Sequence, residues 1–100
     1  MIDIKENPSY FDGLKVAEEI AKLVKKGLDD GVPTLKIPIS KRLYNHIMDY
    51  NEGSFFGIYR LRCGFKKMGI IPFAVEYTAK PYRIVVDYTK TTECLEDKRY

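Results

Sequence analysis

The side chains of this sequence best suited to chemistry are its cations. Residues 54–90 carry Arg60, Arg62, Lys66, Lys67, Lys80, Arg83 and Lys90 against Glu76 and Asp87 alone, seven basic against two acidic, a net +5. The first 53 residues hold eight Lys/Arg against nine Asp/Glu, and the last ten hold two against three, a net −1 in each case. The overall charge of +3 is therefore concentrated in one short stretch. Such a stretch is an electrostatic footprint for a polyanion, whose phosphates guanidinium and ammonium groups neutralise. A solvated basic face is the ordinary alternative, and the pI of about 8.8 falls just under the roughly 9 typical of nucleic-acid-binding domains.

Other chemistry finds little support. His46 is the single histidine, and neither Cys63 nor Cys94 has a partner His or Asp in a recognisable catalytic spacing. Arg60 and Arg62 beside Cys63 would favour its thiolate, yet one such neighbour set does not make a nucleophile. Asp29 and Asp30 lack the regular ligand spacing of a calcium loop and read as turn residues. Neither G-x-x-x-x-G-K-S/T nor G-x-G-x-x-G occurs. Two cysteines are too few for a disulfide framework or a four-thiolate zinc site. The expectation is a non-enzymatic protein without metal or cofactor.

One hundred residues, 45% hydrophobic and 31% charged, suit a single domain over 1–100. No apolar run approaches the roughly 20 residues of a membrane span, and Met-Ile-Asp-Ile-Lys-Glu lacks the apolar core of a signal peptide. A cytoplasmic protein with no membrane contact is expected. Its first eight and last ten or so residues are expected to fray, apart from any docking of Leu95.

The elements that position the cations follow from periodicity. Leu14, Ala17, Ala21, Val24 and Leu28, flanked by Val16, Ile20 and Leu23, predict a first helix. Ser9 or Asp12 caps it, Glu18 and Lys22 pair along it, Gly27 or Gly31 ends it, and Pro33 forbids continuation. Leu35, Ile37 and Ile39 alternate with Thr34, Lys36 and Pro38, a strand that Pro38 confines to a sheet edge. Ser40 caps a second helix of about three turns, with Leu43, Tyr44, Ile47, Met48 and Tyr50 or Asn51 inward. Ile71, Phe73, Val75 and Tyr77, then Tyr82, Ile84, Val86 and Tyr88, form a hairpin joined by Thr78-Ala79-Lys80-Pro81.

Residues 54–69, SFFGIYRLRCGFKKMG, fit two periods. As a helix, Phe55, Ile58, Leu61, Phe65 and Met68 face inward, with Ser54 as N-cap and Gly69 at the C-terminal stop. As a strand, Tyr59, Leu61, Cys63 and Phe65 alternate with Ile58, Arg60 and Arg62. The helix is preferred because it accounts for the whole segment. It gives an α+β chain of order α-β-α-α-β-β, with a break of four residues before the third helix. That order, across residues 9–89, resembles a winged helix-turn-helix domain, which implies a last helix that enters the DNA major groove and a hairpin wing. The strand reading gives a different α+β fold, a three-stranded antiparallel meander over about 55–89 packed by two helices.

The leading expectation is a small protein that binds double-stranded DNA, a transcriptional or replication regulator. The helix would turn Arg60 and Lys67 outward with Gly64 between them, letting the backbone approach the groove. Ser54 would offer backbone N–H groups to a phosphate, Arg60 a guanidinium to guanine or phosphate, and Arg62, Lys66, Lys67, Lys80 and Arg83 further cationic contacts. A homodimer through the first helix would suit two half-sites. Under the strand reading, Arg60 and Arg62 on one sheet face would suit RNA or single strands. The alternative is a protein-interaction module or inhibitor, of the kind a phage or other mobile element encodes, that grips a protein partner through exposed Tyr10 and Phe56 beside arginine.

Overall fold

The computed structural model describes residues 1–49, 58–68 and 73–91. The chain is α+β, with elements in the order α1 (Tyr10–Asp29), β1 (Thr34–Pro38), α2 (Lys41–Ile47), α3 (Ile58–Lys67), β2 (Phe73–Thr78) and β3 (Arg83–Thr91). The expected α-β-α-α-β-β order holds, and residues 58–67 are helical. The meander alternative fails, because the third strand of the sheet is β1 and not the 54–69 segment.

Local chemistry sets the ends of α1. Ser9 and Asp12 form a reciprocal capping box, so both cap candidates act together. At the other end Gly31 has φ +71, its N–H donates to the Leu28 carbonyl, and the Val32 N–H donates to the Gly27 carbonyl. This is a Schellman stop, and the left-handed residue in it is the glycine. The ion pairs along α1 are Lys25–Asp29 at 3.1 Å and Lys26–Asp30 at 3.9 Å, in place of the expected Glu18–Lys22. Its buried stripe is Gly13, Val16, Ala17, Ile20, Ala21, Val24 and Gly27. Leu14 and Leu28 lie at the margins, and Leu23 is exposed.

The sheet has the order β1-β3-β2, antiparallel throughout, which puts β1 at an edge as Pro38 requires. Leu35 pairs with Val86 and Ile37 with Ile84 on one side; Val75 pairs with Val86 and Tyr77 with Ile84 on the other. Strand alternation gathers these residues on one face, over the core. Lys36, Val85 and Glu76 form a row on the opposite face, as do Pro38, Arg83 and Thr78.

The core joins this sheet face to all three helices through Ile20, Val24, Leu43, Ile47, Leu61, Phe65, Ile84 and Val86. Tyr88 reaches across it, its hydroxyl donating to the Val24 carbonyl at 2.6 Å. Burial pushes the Tyr88 phenol above its ordinary pKa.

Two expectations need correction. The first residues do not fray: Ile2 and Ile4 are buried, and Ile2 bridges Ile39 in parallel through Ile2 N–H to Pro38 carbonyl and Ser40 N–H to Ile2 carbonyl bonds. Asp3 latches this strap, accepting from the Ser40 hydroxyl and the Ile4 N–H with Arg42 beside it. Two apolar side chains next to a capping serine supply both the burial and the polar anchor. The second helix is also shorter than expected, seven residues from Lys41 to Ile47 with Met48 as C-cap. The expected break of four residues before α3 falls at positions that lie outside the described residues.

Candidate nucleic-acid interface

Helix α3 packs against α1, and that contact decides which of its side chains remain outside. Leu61 and Phe65 are buried and Met68 is half-buried, as the helical period requires. Gly64 faces α1: a β-carbon there would stand 3.7 Å from the Ala17 carbonyl oxygen and 3.8 Å from the Ala21 β-carbon. The position expected to open the backbone to a nucleic acid therefore faces helix α1, where a β-carbon would fit at ordinary contact distance.

Arg60 lies on the same flank. Its guanidinium carbon sits 4.8 Å from the centroid of the Tyr10 ring, a cation–π contact that ties the start of α3 to the first turn of α1, and the residue is half-buried. Arg60 is therefore a clasp between helices and does not project as a reading side chain. Arg62, on the other flank, is half-buried, while Cys63, Lys66 and Lys67 are exposed. The outward face of α3 is accordingly Cys63, Lys66 and Lys67, and of the expected pair Arg60 and Lys67 it keeps Lys67.

The hairpin presents its turn at the start of α2. The Ile39 N–H donates to the Tyr82 carbonyl at 3.1 Å, and the Tyr44 and Tyr82 rings stand 5.1 Å apart. Lys80, with φ 53, is exposed in this turn, and Lys41 is exposed in the first turn of α2. Arg83 lies on the outer sheet face between Pro38 and Thr78; it is half-buried, and its Nε is buried with no hydrogen-bond partner among the described residues. Lys90 is offset by Asp87, 3.9 Å away. The Thr89 hydroxyl and N–H both donate to Asp87, which holds that carboxyl below its ordinary range and keeps it charged.

Ser54 and Phe56 lie outside the described residues. Tyr10 is exposed, as expected, but among the described residues the most exposed aromatic is Phe11, 77% accessible and edge-on to Tyr10 at 5.8 Å. Helical steps of 100° put Phe11 opposite Ile20, so its exposure is present in the sequence as a periodic signal. Lys41 was hidden: it lies in the half of the chain whose charges cancel, although a cation just after a helix cap is exposed by default. The apolar stripe of α1, expected to serve a dimer, is consumed by packing against α3 and the sheet.

Among the described residues, no helix is long and apolar enough to cross a membrane, and no three His, Cys, Asp or Glu side chains are grouped to hold a metal ion. No protein-family model, curated protein or solved structure matches the chain.

Proposed function

We propose that the chain is a small DNA-binding protein that grips duplex DNA through α3 and the β2–β3 hairpin, in a transcriptional or replicative role. The observation that carries this reading is the placement of exposed lysines. Lys66 and Lys67 lie on the outward face of α3, and Lys80 in a hairpin turn tied to the start of α2, where Lys41 is also exposed. In an α-β-α-α-β-β chain these are the last helix and the wing, two elements that meet a groove and its flanking phosphates.

The test is fluorescence anisotropy with labelled duplex DNA, single-stranded DNA and RNA. Duplex binding at about 10⁻⁴ to 10⁻⁶ M is expected, weakening steeply with salt. A Lys66→Ala/Lys67→Ala variant weakens it several-fold. Undiminished binding by that variant, or preference for single strands, would reject the assignment.

A second reading is favoured by one specific feature, the Phe11–Tyr10–Arg60 cluster. Aromatic and arginine side chains are favoured anchors at protein interfaces, and an exposed Phe at a helix start would fill a partner's pocket. In that reading Phe11→Ser abolishes capture of a protein partner and leaves duplex binding unchanged.

A further inference from the structure

The arginines and lysines of the candidate surface are placed differently. The rigid planar fork of arginine is the geometrically specific partner of a guanine edge, which a lysine can also reach, whereas at a phosphate the lysine ammonium acts as a compact point charge. In this fold the forks are engaged by the protein itself or partly covered. Arg42 donates to the Ile4 carbonyl at 3.4 Å and lies 3.9 Å from Asp3; Arg60 stacks on Tyr10; Arg62 and Arg83 are half-buried. The exposed lysines on α3, in the hairpin turn and at the start of α2 are Lys66, Lys67, Lys80 and Lys41. Helix α3, Ile-Tyr-Arg-Leu-Arg-Cys-Gly-Phe-Lys-Lys, contains no Asn, Gln, Ser or Thr to pair with adenine or other base edges. Its lysines also fall in the last turn, whereas recognition helices contact bases with their N-terminal residues.

From this we infer that the surface binds the phosphate backbone of B-form duplex DNA irrespective of base sequence. The inference rests on the duplex-binding reading and narrows it, from a regulator that finds an operator to a protein that coats or holds any duplex. Four lysine contacts predict a slope of log K against log salt of roughly −3.6, a loss of roughly 150-fold between about 50 and about 200 mM salt.

The experiment titrates the full chain against unrelated duplexes of about 20 base pairs, AT-rich, GC-rich and mixed, each across a salt series. The expected result is affinities within about threefold of one another and a common slope, which Lys67→Ala and Lys80→Ala each make shallower by about 0.9 on every duplex. Lys22→Ala, an exposed change on α1, leaves the slope unaltered. One duplex bound more than about tenfold tighter than the others overturns sequence independence while leaving duplex binding intact. Absence of binding to every duplex at low salt overturns both. A slope lowered as much by Lys22→Ala as by Lys67→Ala overturns the assignment to this surface.

Discussion

Gly27 illustrates how a single residue governs a long-range contact. A β-carbon there would stand 2.6 Å from the Tyr88 hydroxyl and 3.3 Å from Leu35 Cδ2, so Gly27→Ala displaces the phenol that bonds Val24. The change is expected to destabilise the fold by about 1–2 kcal/mol, although alanine is the better helix former by about 1 kcal/mol. Combining it with Tyr88→Phe removes the clashing atom, so the double variant is more stable than the sum of the single changes allows, measured by urea unfolding. Gly64 behaves oppositely. Its neighbours leave room for one carbon at ordinary contact distance, so Gly64→Ala is expected to gain up to about 1 kcal/mol, and a loss of that size would show the α1–α3 approach to be tighter. The sequence offers Gly27 as a helix end and Gly64 as a gap on an outward face; both lie within helices and face packed neighbours, which tertiary packing sets.

At the scale of elements, the N-terminal strap changes the view of the chain's beginning. Ile4 is 4% exposed, so Ile4→Ala is expected to cost about 2–4 kcal/mol in urea unfolding. A cost below about 0.5 kcal/mol would contradict docking of the strap. Nothing in so short a stretch of sequence announces such docking, because its partners Ile39 and Ser40 lie far along the chain. Elements with repeated periodicity were legible: α1, β1 at an edge, and the β2–β3 hairpin. Either period turns Leu61 and Phe65 inward, so the helix at Ile58–Lys67 was legible only from its fit to the whole segment, and the exposed Cys63, which a strand would set beside them, agrees with the helix. The extent of α2 was not, since Tyr50 and Asn51 continue the helical pattern while the helix stops at Ile47.

For the whole molecule, the charge pattern located the cationic segment but not its geometry. Arg60, Arg83 and Lys90 count equally with Lys67 and Lys80 in sequence, yet a tyrosine ring, the sheet and Asp87 engage them in the fold. Three carboxyls link the fold to acidity. Asp3, Asp12 and Asp87 are held below their ordinary range, chiefly by hydrogen bonds from Ser40, Ser9 and Thr89 respectively. Each depressed group contributes stability that is present above its unfolded pKa and is lost as pH falls through its folded one. The melting temperature is therefore expected to fall as pH drops through and below the ordinary carboxylate range. Asp3→Asn together with Asp12→Asn should flatten that acid limb in a thermal scan at several pH values. Tyr88 acts at the alkaline end: its raised pKa gives stability that is full below the ordinary phenol value and is lost as pH rises through the folded one.

The most direct measurement is a backbone amide NMR titration of the assigned protein with a short random-sequence duplex at low salt. Duplex binding through the lysine surface predicts shifts concentrated at Lys66–Lys67, in the 79–82 turn and at Lys41, growing weaker together as salt is added. Shifts centred on Tyr10 and Phe11, or on the outer sheet face around Lys36 and Glu76, or no shifts at all, would contradict it.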